Sequence, residues 1–382
     1  MKDKLAIIIP SLHGAGCERL LSQMLFYFEK EFVIDLILYE KIINYEIPKN
    51  INIKLVGTDN SPNHNLLYKI LRLWKRIYNL GKILKANEYD IILSFLDGCN
   101  VNVYIGKILH RVKTPLIATE HTINEGFFTH NKHAKKLTWL YKFLLKVTYN
   151  RVDHLVVISE SMKKYLKDII RITNKNITTI HNGMNTDQFN LNRRGHIEFE
   201  EQFKNCKIRL LNVARLDDNK NQQYIINLMP DILKEKPDVK LFIIGKGERE
   251  KELKELITRL NLGSHVFLLG WKANVEDYMK ESDLLIISSK YESFCNVIVE
   301  SLMCGLPVVT SKYDDVVYEI INSDNLGKVV ETINVDEFIN AIFYYLDKQI
   351  DKEKINNLIK DKFSIIKTSQ QYIKIIKEVI KY

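Results

Sequence analysis

The sequence predicts an α/β protein built as two doubly wound parallel-sheet domains. Three observations predict it. Short apolar runs alternate with segments of helical period. That alternation runs through once and starts again after a polar stretch near residue 190. The 382 residues suit two domains at about 100–200 residues each.

Taken in order, Leu5–Pro10, Phe32–Leu38, Ile51–Val56, Ile91–Phe95, Leu116–Thr119 and His154–Ile158 read as strands. Most are apolar runs rather than alternating patterns, as expected for parallel strands covered on both faces. The second half repeats the pattern with Ile208–Val213, Lys240–Ile244, Val266–Leu269, Leu284–Ile287, Val308–Thr310 and Lys328–Val330. Helical spacing fills the gaps, for example over Gln222–Leu233, Glu248–Leu260 and Asn296–Cys304. The join falls near HNGMNTDQFN (181–190), and NRRGHIEFEEQFKN after it reads as a surface connection. The domains are expected over 1–182 and 183–364. A last segment of about 365–382 carries Ile at helical spacing from Tyr372 and is expected to pack back on the first domain.

At 46% hydrophobic and 27% charged, the composition is that of a soluble protein with a sizeable core. No apolar run approaches the roughly 18 residues of a membrane span. The run Leu5–Ile9 is short of the roughly 7–15 residues of a signal h-region. Cys17, Cys99, Cys206, Cys295 and Cys304 are odd in number and form no C-x-x-C. That argues against a disulfide framework or a zinc site and suits a reducing cytoplasm.

The net charge of +9 is uneven. Residues 1–182 hold 27 Lys+Arg against 16 Asp+Glu, or +11, which leaves −2 for 183–382. A basic half attracts nucleic acid, anionic lipid or a diphosphate. Two of its helical segments, Tyr68–Lys85 and Lys132–Arg151, interleave Lys and Arg with Leu, Trp, Tyr and Phe. Such helices either lie on an anionic membrane or bury their apolar face as ordinary core.

The stretch SSKYESFCNVIVESLMCGLPVVTS (288–311) holds Glu292 and Glu300 in an otherwise apolar context. A strand to Ile287, a loop to Phe294 and a helix from Asn296 ending before Gly305 put Glu292 in the strand-to-helix loop and Glu300 inside the helix. Ligands bind at that loop in parallel α/β sheets, and the helix start offers free N–H groups. Two carboxylates there suit the vicinal hydroxyls of a sugar or a ribose. Arg215 and Lys220 in LNVARLDDNKN follow a strand and precede a helix, which suits a diphosphate. IIGKGERE carries Gly245 and Gly247 in a turn after a strand.

Ser289, Glu292, Ser293, Phe294, Asn296, Val297, Glu300, Ser301, Leu302, Gly305, Pro307, Val308 and Val309 match the pattern S-x-x-E-[GS]-F-x-N-V-x-x-E-[AS]-[LM]-x-x-G-x-P-V-V. This resembles the E-x₇-E signature of retaining family-4 glycosyltransferases, which have the GT-B fold of two Rossmann-like domains facing across a cleft. Arg215 and Lys220 are similar to the family's G-R-L-x-x-x-K-N element, with Ala214 in place of Gly. Gly245 and Gly247 resemble its G-x-G element. Gly270 and Trp271 resemble the loop that meets the nucleobase, and Glu319 to Ile321 with Gly327 a further, structural motif. In PSLHGAGCERLL the family's G-G-A-E-R reads A-G-C-E-R, so Gly14 and Gly16 are both candidates for the N–H beside the donor diphosphate. His121 in ATEHT resembles the family histidine near the donor sugar. Asn185 stands for the usual Asp of the N-G-[VI]-D linker. These motifs run in family order from Gly14 to Gly327.

The resemblance implies a retaining transfer from a nucleotide sugar, most simply a UDP-sugar held as substrate, with no cofactor and no metal. It assigns His121, Glu292, Arg215 and Lys220 to catalysis. It assigns Gly14, Gly16, Gly245, Gly247, Trp271, Ser293, Phe294, Cys295, Asn296, Val297 and Glu300 to the donor, with Glu292 on the sugar, Glu300 on the ribose and Cys295 lining the sugar loop. The first domain would hold the acceptor, with the reaction in the cleft by front-face displacement. The basic half points to a lipid-linked glycan or cell-surface precursor, and to a protein peripheral on the cytoplasmic face of the membrane with no nucleic-acid partner. The opening third resembles bacterial transferases that add N-acetylgalactosamine to lipid-linked oligosaccharides. Two rivals are a GT-B UDP-sugar epimerase, disfavoured by the Phe294–Pro307 context, and a non-enzymatic basic binding protein, disfavoured by intact Arg215, Lys220, Glu292 and Glu300.

Overall fold

The computed structural model describes residues 2–14, 16–57, 66–122, 135–189, 191, 199–331 and 334–381. They form two compact units, residues 1–183 with 365–382, and residues 184–364. The first unit runs β1 (Lys4–Ile9), α1 (Gly16–Glu31), β2 (Val33–Leu38), β3 (Asn52–Leu55), α2 (Leu66–Ala86), β4 (Ile91–Phe95), α3 (Asp97–Leu109), β5 (Leu116–Glu120), α4 (Lys135–Tyr149), β6 (His154–Val157), α5 (Glu160–Asp168) and β7 (Ile177–Thr179). The second runs α6 (Glu201–Lys204), β8 (Ile208–Val213), α7 (Gln222–Glu235), β9 (Val239–Ile244), α8 (Glu250–Arg259), β10 (Val266–Gly270), α9 (Val275–Glu281), β11 (Leu284–Ile287), α10 (Asn296–Met303), β12 (Val308–Ser311), α11 (Val316–Ile320), β13 (Gly327–Val330), α12 (Val335–Asp347) and α13 (Lys352–Lys360). The final helix α14 (Ile365–Lys381) returns to the first unit.

Both sheets are parallel. Their orders are β3-β2-β1-β4-β5-β6-β7 and β10-β9-β8-β11-β12-β13. Each therefore has a switch point, between β1 and β4 in one and between β8 and β11 in the other, where the winding reverses and the loops beyond the strands diverge. The central strands are buried along their length, as their unbroken apolar runs require. At the join, Asn185 Oδ1 accepts the Asp187 N–H at 3.1 Å, so Asn serves the turn as the expected Asp would.

Two expectations change. β7 was not predicted; its three residues, Ile-Thr-Thr, carry too little apolar signal to read as a strand. The stretch expected as a surface connection is partly core. Residues 192–198 lie outside the described residues, but Phe203 is buried against Phe242, Phe199 and Tyr278, and Glu200 pairs with Lys272. The final helix spans Ile365–Lys381, the segment expected from the sequence. It packs on α1 and ties Lys377 to Glu31 at 2.5 Å.

Helix α2 is not simply a core helix with wet edges. Ile77, Leu80 and Leu84 are buried, while Leu67, Leu71, Trp74 and Tyr78 stand exposed between its Lys and Arg residues. On α4, Leu145 and Tyr149 are buried while Trp139, Leu140 and Phe143 are exposed. The expected start of that helix, Lys132–Ala134, lies outside the described residues.

Candidate active site

In the second unit the loops after β8 and β11 meet at the switch point. They are laced by polar contacts. Asn219 Nδ2 donates to Tyr291 O at 3.0 Å, and the Tyr291 and Lys290 N–H groups donate back to Asn219 Oδ1 and O at 3.1 and 2.8 Å. Ser288 Oγ bonds Asn221 O at 2.9 Å. This lacing brings Lys220 Nζ onto Glu292 Oε1, and Ser289 Oγ donates to the same oxygen at 2.8 Å. The side chains of the pair keep 17% and 14% of their exposure, enough for a ligand to reach them. Burial pulls the Lys220 ammonium down, but Glu292 and Cys295 more than offset it, and its pKa lies above the ordinary lysine value. Lys220 is therefore a cation throughout the neutral range. Arg215 stands out in solvent and pairs with Asp217 at 3.2 Å.

Gly245 and Gly247 shape this site by letting two backbone segments approach closely. A Cβ on Gly245 would lie 1.8 Å from Ala214 O, and one on Gly247 2.2 Å from Leu216 O. Only glycine lets this turn press on the segment that carries Arg215. The Gly245 N–H is already given to Gly270 O at 2.8 Å, and Leu216 N–H goes to Lys246 O at 3.0 Å. Gly245 thus has a packing role in the turn, and its N–H is committed within the fold. Trp271, the next residue after β10, is exposed.

At the start of α10, Cys295 takes the left-handed backbone (φ 58°) that turns the loop into the helix. Asn296 and Val297 open that helix, so their N–H groups have no acceptor within it. Phe294 is buried, edge-on to Phe363 at 5.8 Å; its side chain is core, and only its backbone is left for the donor. Ser293 is half-buried and Glu300 is buried on the helix. Tyr313, beyond β12, was not anticipated. Its hydroxyl is buried beside the Cys295 thiol and the Glu292 carboxylate, and burial pushes its phenol well up.

The first unit carries the other predicted residues. Glu18 accepts the Gly14 N–H at 2.6 Å, so that group is committed within the fold. Gly16 is the first residue of α1, with no intrahelical acceptor for its N–H. His121 sits beyond β5, buried and stacked on Phe95 at 5.5 Å, with neither ring nitrogen hydrogen-bonded among the described residues. Burial pulls its pKa down to about 3, so the ring is neutral. Sequence reasoning passed over Glu120 beside it. The Glu in ATEHT was the available signal.

Two family models match the chain. "Glycosyl transferases group 1" covers residues 194–362 and "Glycosyltransferase Family 4" covers 45–188. A relative from Campylobacter jejuni, N-acetylgalactosamine-N,N'-diacetylbacillosaminyl-diphospho-undecaprenol 4-alpha-N-acetylgalactosaminyltransferase, is 28% identical over 100% of this chain and 99% of its own. An Escherichia coli UDP-Gal:alpha-D-GlcNAc-diphosphoundecaprenol alpha-1,3-galactosyltransferase is 26% identical over 78% of each chain. Among solved structures, Anabaena HepE in complex with UDP superposes with a TM-score of 0.76 at 19% identity, covering 98% of this chain and 100% of that one. The two parallel sheets with their matching switch points, and family matches that meet near the join, make one conclusion: this chain belongs to the GT-B glycosyltransferases, with family-4 and group-1 halves.

Proposed function

We propose that this glycosyltransferase moves a hexose, N-acetylgalactosamine first among the candidates, from a UDP-sugar to a diphosphoundecaprenol-linked glycan. The observation that carries the donor reading is the Lys220–Glu292 pair at the switch point, beside the N-terminus of α10. Lys220 and Arg215 are assigned to the diphosphate, Glu292 to the sugar hydroxyls and Glu300 to the ribose. In the first unit the Gly16 N–H is assigned to the diphosphate in preference to the committed Gly14 N–H, and His121 to the reacting sugar. HepE was crystallised with UDP, which supports uridine. Two relatives that transfer different sugars both act on diphosphoundecaprenol carriers, which supports the acceptor class more strongly than the sugar.

In this reading the bond from the sugar C1 to the UDP oxygen breaks as the acceptor oxygen attacks C1 from the same face. The acceptor proton passes to the departing β-phosphate oxygen. Lys220, Arg215 and helix N–H groups offset the charge that develops there, and no metal takes part. Among the described residues no helix is long and apolar enough to cross a membrane. The exposed aromatic and aliphatic residues of α2 and α4 are proposed to rest on an anionic bilayer where the carrier lies.

The test is UDP release from UDP-GalNAc, UDP-GlcNAc, UDP-Gal and UDP-Glc, each with and without a diphosphoundecaprenol-linked sugar and with EDTA present. Release that needs both donor and acceptor, is greatest with UDP-GalNAc and is unchanged by EDTA is the expected result. No release with any pair sinks the reading, and an inverted product anomer sinks the front-face step.

A further inference from the structure

The first unit holds a buried network that the reaction scheme does not use. The Glu120 carboxyl is 2% exposed. Its Oε1 accepts the N–H groups of His121 and Thr122 at 2.9 and 3.0 Å, and Tyr149 donates its hydroxyl to Oε2. Asn100 Nδ2 supports Tyr149 Oη at 3.2 Å and Thr119 O at 2.9 Å, and Ser94 Oγ holds Asn100 Oδ1 at 2.5 Å. One chain of bonds thus links β4, α3, β5 and α4 to the backbone that presents His121. Below the imidazole, Phe95 stacks on His121 at 5.5 Å and on Tyr372 of α14 at 6.4 Å.

We propose that Glu120 is the positioning residue for His121, its carboxyl fixing the two N–H groups of the turn so that the imidazole stays on the Phe95 face. The role is positioning rather than contact. The space beside Glu120, lined also by Asp97, Thr122 and Tyr141, measures about 20 Å³, room for about one water and no sugar. Burying a carboxyl here is costly unless every bond is made. Burial first, then Asp97, pushes Glu120 up to about 8, despite its three donors. The groups that face it are Asp97 of α3, Tyr141, Lys142 and Tyr149 of α4, Tyr165 of α5 and Cys17 of α1.

The inference rests on the assignment of His121 to the reaction, and the test separates the two. Glu120→Ala, Glu120→Gln, Tyr149→Phe, His121→Ala and the Glu120→Ala/His121→Ala pair are assayed by UDP release and by UDP binding. Glu120→Ala should lower kcat about 30-fold with donor KM within about threefold. Glu120→Gln should restore kcat to within about threefold, because its amide oxygen still accepts both N–H groups and its NH₂ donates to Tyr149. The double variant should be no slower than His121→Ala alone, as expected of residues acting as one unit. Wild-type kcat in Glu120→Ala, or multiplicative losses in the double variant, overturns the inference. If Glu120→Ala does not fold, Tyr149→Phe decides: an about fivefold lower kcat at unchanged KM supports it, and wild-type kcat overturns it. Full activity in His121→Ala removes the role of His121 instead, and absence of UDP release from wild type removes the transferase reading itself.

Discussion

The two units repeat one strand order around one switch point and fill it with opposite chemistry. Beyond β8 and β11 stand a lysine and a glutamate in contact, with an arginine in solvent and the start of α10. Beyond β1, β4 and β5 stand three acids, Glu18, Asp97 and Glu120, and a neutral buried histidine. Yet residues 1–182, with these acids, carry the +11 and residues 183–382 the −2. The excess positive charge is not at the strand-end edge of the first unit. Much of it lies along α2 and α4, among exposed aromatics. Net charge therefore says little about which edge binds the diphosphate; the placement of a few charges decides it.

The largest expected effect tests the ion pair. Glu292→Gln should lower kcat about 100-fold, and Lys220→Ala should do the same, since each removes a group that works on the departing or the transferred half of the donor. Because Lys220 is otherwise shared with Glu292, calorimetry should find UDP alone bound about threefold tighter by Glu292→Gln. Weaker UDP binding by that variant would mean that the pair assists the nucleotide rather than competing with it, and the contrast between the units would lose its main support.

Next comes the turn that presses on Arg215. Gly247→Ala places a methyl carbon 2.2 Å from Leu216 O, a backbone atom that cannot rotate away. It should cost about 1–3 kcal/mol of stability and raise the donor KM, while His121 and its surroundings keep their proton chemistry. A variant that melts with wild type would show that the turn yields.

Much of this architecture is legible in the sequence, and the limits are physical. Central parallel strands are written as apolar runs and the exposed edge strand β3 as an alternating one, so the strands of both sheets except β7 fall where periodicity puts them. Glu292, Glu300, Arg215 and Lys220 stand out because charges beside such runs are rare. The contact of Lys220 with Glu292 joins residues 72 apart, and only the sheet order brings them together. Tyr313 reaches Cys295 from the next strand over, and Tyr149 reaches Glu120 across 29 residues. Neither has a local pattern to announce it. At Gly245 the motif marks a close backbone approach, which from sequence looks the same as a ligand contact.

A pH series sharpens the first unit's side of the comparison. Glu120 holds its proton up to about 8 in the fold and only to about 4.5 when exposed. Between those values the native state binds a proton the unfolded state has lost, so this group makes stability fall as pH rises. His121 is the reverse case. Its folded pKa of about 3 lies below the ordinary 6.5, so stability falls as pH drops through that window. Thermal melts of Glu120→Gln against wild type should show a gap that widens by about 3 °C or more from pH 5 to pH 8. Melts of His121→Asn should show the gap widening from pH 6.5 downward instead. Parallel curves at all pH values would mean that neither group is held out of water as the structure has it.

The smallest expected effect concerns the helix faces. Trp74 and Trp139 are 53% and 70% exposed. An exposed indole on a basic helix gains from the headgroup region, where its ring is apolar and its N–H stays wet. Two such residues out of a larger face should each matter a little. Flotation with vesicles containing anionic lipid should recover about three- to fivefold less of a Trp74→Ala/Trp139→Ala variant than of wild type. Raising the salt should weaken both, because attraction between lysines and lipid phosphate is screened over about 10 Å at 0.1 M ionic strength. Neutral vesicles should bind wild type poorly. UDP binding, which is proposed to rest on the strand-end loops and not on these helix faces, should not change in this variant. If flotation is the same for both proteins, the exposed aromatics serve something other than a bilayer. If UDP binding falls as well, the separation of roles between the charged helix faces and the strand-end loops does not hold.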